Sequence, residues 1–475
     1  MNKSKINYSS IFFKFKNNEN INYLKDFNIN FGQIQKLSCA QDYCPKKENF
    51  NNFFKILFSF NNIGNNLMYL DLELYNDRLD SDRVNIDANS FENLNNFKSL
   101  KDLRLHGLLF KTYLNINLIN LQHLYISSCS MIIFTDECNL NLKSLFLLSN
   151  TDVKPKNILN LPNISECFLK SAFNFKENFR TMIDFSSLKK IKSLKAEPND
   201  FLLIENNNIL KSIDLYSLHN ISKSNELKLV EKILSMKSLE NVSLSLNTID
   251  IDDILKIPGE NSSILSIKIV ISNKNKHLYF NKIQNKFPNV SELSFEIFNN
   301  SNGMKLEINQ NPNSKVNKLY LSGYGQKEIK IDIQSFEKLK IINIDADIIN
   351  LKEALPFFNK NYQIKYNSLT IFNFLIHGKK ELSIELLNNL YNNIDNMPNL
   401  KEFYLHLYIK DINEAFYKQI IRKLLSLKLN VISISLSINK TTQLQIIEKY
   451  SFDELKEIYQ VFNEDDYDFI SICKL

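Results

Sequence analysis

The six histidines, His106, His123, His219, His277, His377 and His406, are the first residues to test for chemistry. Imidazole is the side chain best suited to proton transfer and metal binding near neutral pH. Only His106 and His123 could fall in neighbouring repeats, as an acid–base or metal-binding pair. There is no HExxH, so nothing places two histidines on one helix face around a zinc ion. Cys39 and Cys44 have no second Cys or His pair nearby to complete a tetrahedral site. Asp465, Asp466 and Asp468 lack the glycine and terminal glutamate of a calcium loop. GxGxxG, the phosphate-binding P-loop and GxSxG are also missing. General acid–base catalysis needs positioned groups in a pocket, and the sequence offers none. The chain therefore reads as non-enzymatic, with no catalytic residue, metal or cofactor.

Periodicity points instead to presentation of side chains. From Leu100 to Asn150 the segments LKDLRLHGLLF, LQHLYISSCSM and LKSLFLLSNTDV align without gaps. Their second leucines, Leu103, Leu124 and Leu145, recur about every 21 residues, each in a short strand followed by a turn. The same pattern is anchored before them at Leu37 and Leu70, and after them at Cys167, Leu194, Ile213, Val242, Ile267 and Leu293. It continues at Leu319, Ile342, Leu369, Phe403 and Ile432. That makes about sixteen strands, spaced on average roughly 26 residues apart. Turns precede several of them: Leu161-Pro162-Asn163-Ile164, Phe287-Pro288-Asn289-Val290 and Met397-Pro398-Asn399-Leu400 share one pattern. Phe97–Leu100 and Met236–Leu239 occupy the same place without proline. Proline fixes φ and has no N–H, which suits the entry to a strand and would break a helix.

These repeats resemble the leucine-rich repeat family, in a divergent, ribonuclease-inhibitor-like form. The resemblance implies an α/β horseshoe: a solenoid with a parallel concave sheet, helical or irregular convex segments, and a role in binding other macromolecules. In LLNNLYNNIDNM, Leu386, Leu387, Leu390 and Ile394 are spaced to face the strands from a helix; in AFYKQIIRKLLSL, Phe416, Ile420, Leu424 and Leu425 are. The resemblance also calls for Asn or Cys after each strand to tie down the turn. Cys129, Asn150 and Asn247 fit, whereas Leu108, Ala172 and Leu218 break the ladder.

Side chains alternate along a strand, so burying Leu103 and Leu105 turns Asp102, Arg104 and His106 outward. The same phase exposes His123, Tyr125 and Ser127, then Ser144, Phe146 and Leu148, then Glu166, Phe168 and Lys170. Adjacent strands lie about 4.8 Å apart, so these residues tile one patch. Arg104, His106, His123, Tyr125, Phe146 and Phe168 are the candidate partner-binding residues, because clustered aromatics beside an arginine resemble an interface hot spot. A second outward set, Ser368, Thr370 and Phe372 with Glu402, Tyr404 and His406, lies near the C-terminus. Tyr69, Asp71 and Glu73 form an acidic outward strand.

Composition sets the limits of this reading. The 475 residues are 44% hydrophobic and 23% charged, as expected of a folded chain long enough for a repeat array. The sequence is rich in Asn, has no Trp, and is short of Gly and Pro, which reads as codon bias. A net charge of +6 spread along the chain argues against a nucleic-acid partner. The cluster Lys189-Lys190 with Lys192 and Lys195 is too short to reverse that. The first twenty residues lack the apolar core and cleavage site of a secretory signal, and no apolar window spans a bilayer. The six cysteines are scattered and read as reduced thiols, so the expected location is intracellular, in the cytoplasm. Sequons such as the one at Asn261 are by-products of Asn content. The expected organisation is an N-terminal cap over 1–30, the array over 31–440, and a cap helix with an acidic tail over 441–475. The expected role is a scaffold or recognition subunit binding a protein on its concave face. Alternatives are a substrate-recognition subunit of a ubiquitin ligase and a surface adhesion protein.

Overall fold

The computed structural model describes residues 9–15, 33–41, 66–74, 85–135, 141–148, 150–170, 182–205, 207–216, 221–246, 251–271, 277–279, 284–297, 305–308, 314–323, 328–331, 338–347, 368–378, 384–395, 397–409, 431–438, 459–464 and 467–474. The chain divides into two compact units, Met1–Leu218 and His219–Leu475.

The first unit contains strands β1 (Ser10–Phe15), β2 (Lys36–Gln41), β3 (Tyr69–Leu74), β4 (Asn85–Ile86), β5 (Asp102–His106), β6 (Leu109–Ile116) and β7 (His123–Ser127). They are followed by β8 (Ser130–Phe134), β9 (Ser144–Leu148), β10 (Thr151–Pro155), β11 (Glu166–Lys170), β12 (Ser193–Ala196) and β13 (Ser212–Leu215). A principal parallel sheet runs β1-β2-β3-β5-β7-β9-β11-β12-β13. A smaller parallel sheet, β4-β6-β8-β10, forms from the segments that return the chain between principal strands. Those returns were expected to be helical or irregular. Between residues 85 and 155 they include β-branched and aromatic stretches such as SMIIF and LFKTYLNI, which pair readily with their neighbours. The principal sheet also continues from β11 to β12, where Cys167 pairs with Leu194.

Register explains the core. Leu37, Leu70, Leu103, Leu124, Leu145, Cys167, Leu194 and Ile213 stand side by side. Three positions per repeat are buried: the anchor, the residue three before it and the residue two after. In the central repeats these are Leu100, Leu103 and Leu105, then Leu121, Leu124 and Ile126, then Leu142, Leu145 and Leu147, none more than 1% exposed. Each such side chain contributes roughly 1.5–3 kcal/mol by leaving water.

Polar groups hold the repeats to one another. Asn150 is 0% exposed; its Oδ1 accepts from the Cys129 amide at 3.0 Å and its Nδ2 donates to the Ile126 carbonyl at 2.9 Å. This is the expected Asn/Cys ladder, while Asn247, Ala172 and Leu218 lie outside the described residues. Asparagines outside that ladder form a second series. Asn120 donates to the Lys98 carbonyl at 2.8 Å and Asn141 to the Ile119 carbonyl at 2.9 Å, each one repeat back. Gly107, with φ +70°, begins the turn after β5, where an added Cβ would lie 2.1 Å from the Leu74 carbonyl oxygen.

The second unit contains β14 (Asn241–Leu246), β15 (Ser266–Ile271), β16 (His277–Tyr279), β17 (Glu292–Ile297), β18 (Lys305–Ile308), β19 (Lys318–Gly323) and β20 (Glu328–Ile331). It continues with β21 (Ile341–Asp347), β22 (Ile371–Gly378), β23 (Glu402–Ile409), β24 (Val431–Ile438), β25 (Tyr459–Glu464) and β26 (Tyr467–Lys474). Its parallel sheet runs β14-β15-β17-β19-β21-β22-β23-β24, and β16, β18 and β20 form a small sheet of their own. Among the described residues the α-helices are α1 (Pro198–Phe201) in the first unit, and α2 (Lys223–Ser235), α3 (Ile251–Lys256) and α4 (Ile384–Asp395) in the second. Leu390 and Ile394 of α4 are buried, as their spacing requires. The side chains of Leu386 and Leu387, and all of residues 410–430, lie outside the described residues. Helix α2 starts where the Ser222 hydroxyl accepts from the Asn225 amide at 3.3 Å and buries Leu229, Val230, Ile233 and Leu234. Asn261, fully buried, donates to the carbonyls of Ile233 and Met236 at the end of α2, which leaves no room for a glycan.

Each of the five named turns is closed by a backbone hydrogen bond across four residues, as in Leu100 N–H to the Phe97 carbonyl at 3.1 Å and Val290 N–H to the Phe287 carbonyl at 3.3 Å. Two expectations are corrected. The anchor after Ile342 is Phe372, which pairs with both Ile342 and Phe403; Leu369 is the buried residue three before it. Leu369 and Phe372 of LTIF both suit the anchor, and the offset of three between the two choices, an odd number, reverses the faces. The C-terminal helix is replaced over Tyr459–Glu464 and Tyr467–Lys474 by an antiparallel hairpin, with β26 paired to β24. Alternation in YDFISICK favours a strand, and pairing covers the edge that a helix was expected to shield. Residues 451–458 lie outside the described residues.

Candidate functional site

The open face of the first unit's principal sheet carries every candidate partner-binding residue. The anchors face the core, so the residues between them face out in parallel rows. One row runs Asp71, Arg104, Tyr125, Phe146, Phe168, Lys195 and Asp214 on successive strands. The Phe146 and Phe168 rings stack, with centroids 4.5 Å apart and planes 9° from parallel. Tyr125 lies 5.7 Å from Phe146, tilted by 37°. All three side chains are half-buried.

Charges close this row at both ends. Arg104 Nε pairs with Asp102 at 3.2 Å, and its guanidinium lies 5.2 Å from the centre of the Tyr69 ring. The Tyr69 hydroxyl donates to Asp71 at 3.0 Å. Burial, then the Asp71 carboxylate, pushes the Tyr69 phenol up to about 12. On the other side Lys195 pairs with Asp214 at 2.6 Å. Tyr69 and Lys195 were not among the candidates, although both follow from the repeat phase that exposed Tyr125.

The neighbouring row holds Asp102, His123, Ser144, Glu166 and Ser193. The Nδ1 of His123 lies 3.1 Å from the Ser144 hydroxyl, which donates to Glu166 at 3.2 Å. Serine, histidine and an acid are thus linked, but with serine in the middle. A nucleophilic triad needs histidine between serine and acid, so that the imidazole takes the hydroxyl proton while the acid orients it. Here Ser144 is 4% exposed and bridges two strands.

The proposed pairing of His106 with His123 does not form. His123 stands beside Asp102 and His106 beside Ser127, so the two imidazoles sit four residues apart along the strands, about 13 Å. Ser127 and Ser144 share the expected face but are 7% and 4% exposed beneath larger neighbours. In the second unit Phe372 is buried rather than outward, because of the shifted anchor, and Asn373 takes the outward place beside Tyr404. The Tyr404 hydroxyl donates to Glu402 at 3.0 Å. The side chain of His406 lies outside the described residues.

No protein-family model and no curated protein matches the sequence. A solved structure of a leucine-rich repeat protein from Leptospira interrogans is similar at 13% identity and a TM-score of 0.35, covering 84% of this chain and 90% of that one. The register itself decides the fold: a buried apolar triplet returns with each parallel strand, and an Asn/Cys ladder closes the central turns. The fold is a divergent leucine-rich repeat. In this chain the three aromatics occupy outward positions that carry Ser, Lys or Asn in repeats such as β2, β15 and β21. Among the described residues, no helix is long and apolar enough to cross a membrane.

Proposed function

We propose that the chain is a non-catalytic recognition or scaffold protein that binds a protein partner on the open face of its first unit, through Arg104, His106, His123, Tyr125, Phe146 and Phe168. The observation that carries this reading is the aromatic row itself. Three adjacent half-buried rings stand on the outward side of a repeat sheet, opposite the buried anchors. Exposed aromatic area of this kind is characteristic of binding surfaces, and Tyr and Arg are enriched among residues that dominate binding energy. The strands hold the rings in place before binding, so little side-chain ordering remains to oppose association.

The test is affinity capture followed by rebinding of the captured protein in purified form. Native chain is compared with a Tyr125→Ala, Phe146→Ala, Phe168→Ala variant whose circular dichroism matches it. Loss of the dominant partner by the variant supports the surface. Equal rebinding removes it.

A further inference from the structure

The edge at which the first unit's principal strands begin is a second ordered row. There the backbone continues the ladder for one more residue: Gln122 N–H donates to the Lys101 carbonyl at 2.8 Å, Lys143 to Gln122 at 2.7 Å, and Ser165 to Lys143 at 2.8 Å. Lys192 donates to Ser165 and Lys211 to Lys192, each at 2.8 Å. Lys101, Lys143, Lys192 and Lys211 are all exposed. Lys98, Lys189 and Lys190 add exposed cations in the turns just before.

Segregation distinguishes this edge from ordinary surface. The chain has 58 basic against 52 acidic residues, yet the turns at 97–101, 118–122, 141–143, 161–165, 188–192 and 207–211 contain seven lysines and no carboxylate. Lys143 and Lys190 donate to the neutral amides of Gln122 and Asn163, at 2.9 and 2.8 Å. Asp102 and Glu166, one residue into the strands, are themselves engaged, Asp102 by Arg104 and Glu166 by Ser144. Lys101, Lys143 and Lys192 stand just before β5, β9 and β12, every second strand and so about 10 Å apart, Lys211 stands just before the next strand, β13, and the row lies about 10 Å from the aromatic row.

We propose that this edge docks an extended acidic polypeptide, whose carboxylates meet the lysine row while an apolar side chain packs against the ring edges of Phe146 and Phe168. The second half of this statement rests on the recognition surface described above; the lysine row does not. Two features choose polypeptide over nucleic acid. A single-stranded nucleic acid needs open ring faces on which bases stack. Phe168 stacks on one side of Phe146 at 4.5 Å and Tyr125 leans over the other at 5.7 Å, so the central ring presents its edge, which suits aliphatic and aromatic side chains. The cations also line one edge of the sheet, where a strand-like segment has a fixed line of approach, rather than both sides of a groove.

The experiment measures fluorescence anisotropy of a labelled peptide of alternating Glu and Leu with one central Phe, and of an oligouridylate of equal charge, against the full chain. The native chain should bind the peptide with an affinity that falls as salt rises. Lys101→Gln, Lys143→Gln, Lys192→Gln, Lys211→Gln together should weaken it at least about tenfold, since four screened pairs are lost. Phe146→Ala should weaken it further. Weakening by the lysine variant but not by Phe146→Ala supports the docking edge and removes the aromatic contact. Tighter binding of oligouridylate, equal peptide binding by the lysine variant, or no binding of either probe overturns the proposal.

Discussion

Replacing Asn150 by alanine tests whether the repeats are held together as described. Its carboxamide is 0% exposed and satisfies two backbone groups of the preceding repeat, the Cys129 N–H at 3.0 Å and the Ile126 carbonyl at 2.9 Å. Alanine leaves both groups buried without that partner. An unsatisfied buried group destabilises by about 1–3 kcal/mol, so two give about 2–6 kcal/mol, reduced if a water enters the vacated space. We expect about 3 kcal/mol. Asn120 provides the control, since its bond to the Lys98 carbonyl at 2.8 Å is exposed and water replaces it; Asn120→Ala should change stability by less than about 1 kcal/mol. Repeat arrays open locally, so the assay is native-state hydrogen exchange at the Cys129 amide, with urea unfolding as the global measure. Exchange at Cys129 should accelerate by roughly two orders of magnitude in Asn150→Ala, the kinetic equivalent of about 3 kcal/mol. Equal exchange in the two variants would refute the reasoning.

Three further outcomes follow from individual contacts. Gly107→Ala should destabilise by about 3 kcal/mol or more, from positive φ plus a 2.1 Å approach to the Leu74 carbonyl, whereas Gly259→Ala, at φ +90° with nothing within 4 Å, should lose only about 1–2 kcal/mol; thermal denaturation of both compares them. Leu124→Ala should lose about 2–5 kcal/mol by urea denaturation, because its side chain is 0% exposed between Leu103 and Leu145. Burial pushes the Cys129 and Cys167 thiols up to about 12 from 9.0, and Cys39 upward as well. These thiols are acids with raised folded pKa values, so their contribution to stability is complete below pH 9 and is lost as pH rises from there towards 12. Urea midpoints measured from pH 8 to 11 should fall above pH 9, and alkylation of the three native thiols at pH 8 should be slow until the chain unfolds.

Much of this architecture was legible because a strand repeat writes its phase into the sequence. Leu103, Leu124 and Leu145 fixed the register, and once they were buried, Arg104, Tyr125, Phe146 and Phe168 had to share the opposite face. Cys167 and Ile213 were harder to see, yet they kept their places because their neighbours set the period. What failed has a physical cause. In LTIF either Leu369 or Phe372 could be the anchor, and Phe372 takes that place because its register matches Ile342 and Phe403. Return segments such as SMIIF pair with their counterparts one repeat away, and periodicity within a single segment does not reveal that partner. The Ser222 cap before a mixed polar–apolar stretch was the available sign of α2. Asn120, Asn141 and Asn261 were hidden by the richness of the chain in asparagine, where composition masks the few side chains that bridge repeats.

The most direct test of the recognition surface is the dissociation constant of the captured partner for Phe146→Ala, measured by titration calorimetry against the native chain. Phe146 stands at the centre of the row, between Tyr125 and Phe168. The account predicts affinity weakened at least about tenfold, or about 1.4 kcal/mol, with an unchanged fold. An unchanged dissociation constant would contradict it.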